Sequence, residues 1–291
     1  MNLGDPCPCR SGSTARECCL ATGVQQTKQH LPPARPATGH SHPKCFARRL
    51  ENWGQHISGE HYLSRSVLAQ LEKDGGVFTR GAKFSPQGRR LPLSALQSNV
   101  LCREHNADLS ALDAIAGTFF AECNDTARQL SADSDAEASV LLVNGYDLER
   151  WFLKVLCGLV AGGIMHDVPK SDVRDEWVGP LFGVGRLPGT AGLYVSGQLG
   201  TTWRIVPDDL RSSPLFASTR GGTALAGLKL ALAGLEFTLL AFERPAKHTG
   251  TINDDGIHRP GEICVRRAGV ARRLVLDWGP LHTTRMTLEC T

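Results

Sequence analysis

The chain has 291 residues, of which 41% are hydrophobic and 21% are charged, a composition typical of globular proteins. No run of about 18 apolar residues occurs and no charged-then-apolar leader is present, so we expect a cytoplasmic protein without a membrane partner. The formal net charge is +3, and residues 1–120 hold 14 Lys+Arg against 9 Asp+Glu. That modest basic excess favours a polyanionic partner.

Four of the ten cysteines lie in the stretch DPCPCRSGSTARECC, residues 5–19. In a reducing compartment, clustered cysteines indicate metal ligands rather than disulfides. Four thiolates satisfy a tetrahedral Zn²⁺ ion, and so short a segment buries too little apolar surface to fold without one. We therefore predict a structural zinc ion bound by Cys7, Cys9, Cys18 and Cys19.

The same stretch resembles the SEC-C-type zinc motif in its DPCPC opening, its SGS turn and its CC ending. Arg10 replaces a usual glycine and Thr14–Ala15 replace a basic-aromatic pair, while all four ligands are kept. The resemblance implies that residues 1–22 form an accessory module that contacts a protein or nucleic acid and does no chemistry. The alternative is a structural cap without a partner.

Pattern and composition divide the rest of the chain. Residues 23–41 contain Pro, Gly, Thr and Gln without apolar periodicity, which predicts a linker. Apolar spacing predicts a helix over residues 109–130 and a second helix from about Asp147 to Gly162–Gly163. Short apolar stretches between Gly, Pro and Asp predict a β-rich domain in residues 173–291. The isolated cysteines are predicted to be core residues: Cys123, Cys157, Cys264 and Cys290.

Two further stretches place polar residues at the ends of apolar runs: QHISGEHYL with Glu60–His61, and SNVLCREHN with Asn99 and Asn106. They resemble the two halves of an HNH nuclease finger, a ββα-metal fold, and the resemblance covers residues 42–115. It implies that His61 is the general base and that Asn99 orients its imidazole. It also implies that Glu60 and Asn106 hold a catalytic Mg²⁺ or Mn²⁺ ion.

These residue types suit the implied chemistry. Phosphodiester hydrolysis needs an activated water and a cation on the scissile phosphate. A neutral histidine can take the proton from water near pH 7. One carboxylate and one amide oxygen are hard ligands of the kind that Mg²⁺ prefers.

The HNH resemblance also implies a second, structural zinc ion. Cys102 and His105 form a ligand pair after the histidine-bearing stretch, and Cys45 is the candidate ligand before it. His42 has workable spacing to serve as the fourth ligand, and the alternatives are His56 or no fourth ligand. With both clusters occupied, we expect about two zinc ions per chain.

Cations also lie between the two halves of the finger, in residues 75–94. Side chains there could follow a phosphate backbone, and a solvated loop is the alternative. The predicted nucleic-acid contacts are Arg80, Lys83, Arg89 and Arg90.

The sequence thus predicts an α+β protein with an N-terminal zinc knuckle in residues 1–22 and a linker in 23–41. An HNH-like domain with a helical extension follows in 42–172, and a β-rich domain of unknown role occupies 173–291. The predicted function is a metal-dependent HNH-type endonuclease, with DNA ahead of RNA as substrate and a possible protein partner at the zinc knuckle. The alternative is a non-catalytic, zinc-stabilised adaptor that binds nucleic acid or protein through a degenerate finger.

Overall fold

The computed structural model of the chain combines helices and sheets, which confirms the α+β class. Of the predicted site residues, Lys83 lies outside the described part of the chain, as does the predicted core residue Cys290, and only the backbone of Arg80 is described. The described residues are 4–9, 12–19, 27–33, 35–39, 42–52, 56–81, 85–131, 138–165, 168–170, 173–196, 210–219, 222–232, 234–243, 252–253, 256–267, 270–279 and 285–289.

The first half of the body holds two strand pairs and two helices. In chain order they are β1 (Ile57–His61), α1 (Arg65–Gln70), β2 (Val77–Gly81), β3 (Ser85–Leu91), β4 (Gln97–Cys102) and α2 (Arg103–Ser131). The two pairs, β1 with β4 and β2 with β3, are antiparallel. The first backbone N–H of α2, on Arg103, donates to the carbonyl of His56 at 2.8 Å. The long helix therefore begins against the start of β1.

A buried helix and the remaining strands complete the fold. They are β5 (Ser139–Asn144), α3 (Gly145–Ala161), α4 (Asp175–Leu181), β6 (Gly192–Ser196), β7 (Leu210–Thr219), β8 (Gly222–Leu232), β9 (Leu235–Leu240), β10 (Ile252–Asn253), β11 (Gly256–His258), β12 (Glu262–Arg267), β13 (Val270–Asp277) and β14 (Arg285–Glu289). The side chain of Asn144 accepts the N–H of Asp147 at 3.0 Å, an N-cap that starts α3. Gly163, with φ of 68°, follows its last turn. Both predicted helices are confirmed.

The later strands form two sheets, which confirms the β-rich character of the second half. One has the order β10-β11-β6-β9-β8-β7 and is antiparallel throughout. The other has the order β14-β12-β13-β5, in which β14 and β5 run parallel to their neighbours. Strand β5 comes from the segment assigned to the HNH-like domain, yet it pairs with β13 of the C-terminal segment.

One apolar core runs across the predicted boundary at residue 172. The Phe120 ring of α2 lies 5.0 Å from the Trp151 ring of α3 and 6.2 Å from the Phe237 ring of β9. Full burial of such side chains stabilises the fold by about 1.5–3 kcal/mol each. The isolated cysteines Cys123, Cys157 and Cys264 are buried, as predicted. Among the helices described, none combines the length and apolar content needed to cross a bilayer.

Part of the predicted linker lies against this body. The N–H of Thr27 donates to the Asp277 carboxylate at 2.5 Å, and the N–H of His30 donates to the Asp147 carboxylate at 2.9 Å. Arg35 forms an ion pair with Asp108 at 2.6 Å. These contacts hold the described residues of this segment, 27–33 and 35–39, against the body.

Candidate metal centres and strand–helix site

The four N-terminal cysteines converge on one point, which is compatible with a zinc site. We call them the N-terminal cluster. The Sγ atom of Cys9 lies 3.3 Å from that of Cys7 and 3.4 Å from that of Cys18, and Cys18 lies 3.8 Å from Cys19. A tetrahedron with Zn–S bonds of about 2.3 Å has edges of about 3.8 Å, so the thiols are spaced closely enough to share one ion.

Local hydrogen bonds explain why this short segment brings its cysteines together. The N–H of Cys7 donates to the Ser13 carbonyl and that of Ala15 donates to Asp5, both at 2.9 Å, which closes a small hairpin. Thr14 and Glu17 then form a reciprocal pair: the Thr14 backbone N–H donates to the Glu17 carboxylate at 3.4 Å, and the Glu17 backbone N–H donates to the Thr14 hydroxyl oxygen at 3.4 Å. This is the capping-box arrangement that starts a helical turn. That turn ends in the second cysteine pair.

The N-terminal cluster is docked on the body. Cys7 and Cys19 pack against Leu142 of β5, and the Leu142 N–H donates to the Pro8 carbonyl at 3.2 Å. Strand β5 is at the edge of its sheet, and among the described strands it pairs with β13 alone. The cluster therefore covers part of an open strand edge, a surface that would otherwise expose unpaired backbone groups.

A second group of possible metal ligands lies in the core: Cys45, Cys102 and His105, which we call the inner cluster. Their ligand atoms all lie within 4.8 Å of one another, and each residue is at most 1% exposed. The His105 Nδ1 atom lies 3.4 Å from the Cys45 sulfur and 3.3 Å from the Cys102 sulfur. Backbone N–H groups of Cys102 and His105 approach the same sulfurs at 3.4 and 3.5 Å.

The tautomer of His105 suits a metal ligand. Its Nε2 atom lies 2.9 Å from the Oδ1 atom of Asn52, so Nε2 carries the proton and the Nδ1 lone pair faces the two sulfurs. Burial lowers the pKa of His105, which keeps the ring neutral. The Phe182 ring packs edge-on at 4.9 Å and holds the ring orientation. Asn52 was not predicted from the sequence.

The candidate fourth ligands lie outside the inner cluster. Both His42 and His56 belong to the described residues, and neither joins the group of ligand atoms within 4.8 Å. The His42 Nδ1 atom instead accepts the N–H of Lys44 at 3.1 Å. The structure thus brings together three of the four ligands predicted for the inner cluster.

The thiols differ in their ease of ionisation. Burial raises the pKa of Cys7, but the N–H donors of Cys9 and Cys19 outweigh it and lower the pKa to about 7. Burial raises the pKa of Cys19 well above its ordinary value, and burial beside Cys102 raises that of Cys45 to about 12. A bound cation would replace these protons, since metal ligation requires the thiolate.

The strand–helix unit, formed by β1, β4 and α2, holds the predicted catalytic residues. Ser58 pairs with Leu101 and Glu60 pairs with Ser98, so β4 has one residue more than β1 between these pairs. The extra residue makes a β-bulge opposite Gly59, a feature common near functional sites. A Cβ atom at Gly59 would lie 3.1 Å from the Gln97 side chain and 3.7 Å from that of Asn99.

Glu60 is buried and already has a cationic partner. Its Oε1 atom lies 2.6 Å from the Nζ atom of Lys154 on α3, and Lys154 also binds both carboxylate oxygens of Asp113 at 2.6 Å. The Ser64 hydroxyl donates to Asp113, and the Trp151 ring N–H donates to Ser64 at 2.6 Å. Burial raises the pKa of Glu60, and the Lys154 ammonium partly offsets that rise.

His61 is half-buried at the end of β1 and pairs across the strands with Gln97. Because successive strand residues alternate between the two faces, His61 shares a face with Gln97, while Glu60 lies on the other face with Ser98. Burial and the nearby cations of Arg65 and Lys154 lower the pKa of His61. The ring is therefore neutral at pH 7.

The two candidate asparagines lie at different places in the unit. Asn99 is exposed on β4, within the bulge. Asn106 is in the first turns of α2, and its Nδ2 atom donates to the Ser58 hydroxyl at 3.1 Å and to the Gly59 carbonyl at 3.3 Å. These bonds leave the Oδ1 atom of Asn106 to bind a cation, while the described contacts of Glu60 are with Lys154.

The predicted nucleic-acid contacts on the β2–β3 hairpin are exposed where they are described. Arg89 is exposed on β3. Arg90 donates to the Lys73 carbonyl at 2.9 Å and lies 3.5 Å from the Asp74 carboxylate, so its charge is partly engaged locally. The phosphate-binding role of this hairpin stays a prediction.

Sequence reasoning missed Lys154 and Asp113. Both lie in helical stretches whose apolar spacing was noted, and a charged residue inside such a spacing was the available signal. Comparison of the chain with protein-family models, curated proteins and solved structures finds no match.

Proposed function

We propose that the chain is a metal-dependent phosphodiester hydrolase of the HNH type, acting on DNA, with the strand–helix unit as its active site. The observation that best supports this proposal is the order of elements: an antiparallel strand pair followed at once by a helix, with His61 at the end of the first strand. That order agrees with the one implied by the resemblance of residues 42–115 to an HNH finger.

In this proposal His61 is the general base. Its lowered pKa keeps the imidazole neutral at pH 7, the form that accepts a proton from water. Asn99 lies on the facing strand and would orient the imidazole. Asn106 is held by its Nδ2 bonds to β1, which would present its Oδ1 atom to a cation.

A catalytic Mg²⁺ or Mn²⁺ would be held by Asn106 and Glu60, which offer the oxygen atoms that such ions prefer. The ion would neutralise charge on the scissile phosphate. The donor set fits only in part, because Lys154 already neutralises Glu60 at 2.6 Å. For Glu60 to serve as a ligand, the Lys154 ammonium would have to keep Asp113 as its only partner.

We further propose zinc at both clusters. The N-terminal cluster offers four thiols, and the inner cluster offers two thiols and one imidazole nitrogen with its proton on the far side of the ring. Both sets match structural zinc chemistry. The inner ion would link residue 45 to the junction of β4 and α2, and so would position the strand–helix unit.

A second candidate function follows from one specific observation, the pairing of Lys154 with Glu60. If that ion pair is permanent, no carboxylate is available for the catalytic cation. The chain would then be a zinc-stabilised adaptor that binds nucleic acid without cutting it. The exposed N-terminal module would be its protein contact.

A plasmid-nicking assay with Mg²⁺ or Mn²⁺ separates the two functions. We expect His61→Ala to reduce the nicking rate by about 10²–10⁴-fold, the usual contribution of a general base. His258→Ala is the matched control, because His258 is also half-buried but lies in the six-stranded sheet. Equal nicking by wild type and His61→Ala would overturn the hydrolase proposal, and binding without nicking would favour the adaptor.

A further inference from the structure

A large groove lies beside the strand–helix unit. Its walls come mainly from three separate parts of the chain: residues 43–49, residues 97–100 of β4, and Lys170 with residues 173–176. Its volume is about 1250 Å³. That exceeds the roughly 300–1000 Å³ of a typical small-molecule site, so the groove suits an extended ligand.

The groove is basic. Five cations line it, together with the carboxylates Asp175 and Glu176. Asp175 forms an ion pair with Arg49, and Glu176 lies 3.3 Å from Arg174. The cations are Lys44, Arg48, Arg49, Lys170 and Arg174.

Three of these cations are left to meet a ligand. Lys44, Arg48 and Lys170 are exposed and form no ion pair with any carboxylate that the structure describes. Uncompensated cations that converge on one concave surface attract polyanions, because the surrounding protein focuses their field. The ligand chemistry that fits is a phosphate backbone.

The groove also leads toward the candidate base. Gln97, Ser98 and Asn99 of β4 line it, and Gln97 is the cross-strand partner of His61. A strand in the groove would therefore pass along β4 beside Asn99 toward the end of β1. Exposed amide side chains at that point can donate to phosphate and sugar oxygens.

The inner cluster supports one wall of the groove. Cys45 lies between Lys44 and Phe46, and the Phe46 N–H donates to the Val100 carbonyl of β4 at 2.9 Å. The Arg48 N–H donates to the Cys45 carbonyl at 3.1 Å. The backbone at Lys44 and Arg48, on either side of the buried Cys45, is thus held against β4.

We propose that this groove, rather than the β2–β3 hairpin, is the site where the phosphodiester backbone of a nucleic acid binds. The inference rests on the proposed function for its substrate class and adds the location and the contacting residues. Lys44, Arg48 and Lys170 contact phosphates. Asn99 and Gln97 border the path to His61.

The test measures binding separately from hydrolysis. Fluorescence anisotropy of labelled single-stranded DNA, duplex DNA and single-stranded RNA of one sequence is recorded with full-length His61→Ala protein, without added divalent cation. The background substitution is combined with Lys44→Ala/Arg48→Ala in the groove, with Arg89→Ala/Arg90→Ala on the hairpin, or with Lys28→Ala/Arg211→Ala at exposed positions elsewhere. Each pair removes two positive charges.

For the groove pair we expect the slope of log affinity against log salt to fall by about 1.4–1.8, the loss expected for two phosphate contacts. At 0.1 M salt this corresponds to an affinity about 25- to 60-fold weaker. A variant with Arg48→Lys in place of Arg48→Ala should recover most of the affinity lost at that position, because it keeps the positive charge. The exposed control pair should change affinity by less than about threefold.

Three results would overturn the proposal: no binding of any probe by the His61→Ala protein, equal weakening by all three pairs, or weakening by the hairpin pair alone. Comparison of the three probes identifies which kind of nucleic acid binds in the groove most tightly. If the wild-type protein did not nick plasmid DNA, the hydrolase proposal would fail, but weaker binding by the groove pair would still support the groove. Loss of binding with nicking intact would defeat the groove alone.

Discussion

The two cysteine clusters offer similar ligands in opposite surroundings. The N-terminal cluster draws four thiols from residues 7–19, and two of them, Cys9 and Cys18, are half-exposed. The inner cluster joins Cys45 to Cys102, which are 57 residues apart in the chain, inside the main core. One site is assembled by a local turn, and the other is assembled by the tertiary fold.

That difference implies different roles for the two proposed zinc ions. A segment as small as residues 4–19 would gain its folding free energy from the proposed metal ion, since it contains little apolar surface of its own. The inner cluster lies among buried side chains such as Leu101 and Leu109 that already stabilise the body. A metal ion there would hold Cys45 against the start of α2. Loss of that ion should therefore destabilise the whole protein.

The largest effect should come from the inner cluster. We expect Cys102→Ala to remove one of two zinc ions and to lower the free energy of unfolding by about 5 kcal/mol, because it leaves Cys45 and His105 buried without their ion. Cys123→Ala is the matched control, since Cys123 is equally buried outside both clusters, and should cost about 1 kcal/mol. Urea unfolding and metal analysis give both quantities. Equal losses for the two variants, with zinc unchanged, would show that the inner cluster holds no metal.

The ion network of the same unit should give the next largest effect. Lys154→Met leaves the buried carboxylate of Glu60 and the partly buried carboxylate of Asp113 without their shared cation, which should cost about 3–5 kcal/mol. Glu60→Gln in the Lys154→Met background should restore part of that loss. Lys229→Met is the control, because its pair with Glu236 is half-exposed and should be worth about 0–1 kcal/mol. Similar unfolding midpoints for both lysine variants would contradict a structural ion pair at Glu60.

The N-terminal cluster should respond locally. Cys18→Ala should also release one zinc ion, but should change the unfolding free energy of the body by less than about 1 kcal/mol, because local unfolding of an appended turn leaves the core intact. The Leu142 amide, whose N–H donates to the Pro8 carbonyl, should lose its protection against hydrogen exchange. If the global unfolding transition of Cys18→Ala shifted as far as that of Cys102→Ala, the two clusters would not differ in their effect on stability.

The smallest effect is expected in the pH dependence of the nicking rate, which depends on His61 in the strand–helix unit. The N-terminal cluster has no counterpart to this residue. Burial and the Arg65 and Lys154 cations lower its pKa, so the neutral base persists as the pH falls below about 6.5. The acidic limb of the nicking-rate profile should therefore lie below that value. Arg65→Ala should move the limb upward, because it removes one of the cations that lower the pKa of His61. A limb above 6.5 in the wild type would exclude His61 as the titrating base.

Much of the local structure follows from sequence patterns. The helix over residues 109–130 is present and extends back to Arg103, because the polar residues before Leu109 form its first turns. The start of α3 follows from the Asn144 cap and its end from Gly162–Gly163. Strand β5 was missed because its six residues read as an ordinary apolar run and its partner, β13, lies far along the chain.

The sequence by itself determined the four ligands of the N-terminal cluster, the order of the strand–helix unit and the identity of three inner ligands. The first depends on neighbours within a few residues, where spacing controls geometry. The other two join segments that are distant in the chain, and they were predicted from the resemblance to an HNH finger. Only the tertiary structure decided that Lys154 neutralises Glu60, that Asn52 orients His105, and that three distant segments converge on one basic groove. Electrostatic interactions depend on distance in space, and the folded chain sets that distance independently of separation along the sequence.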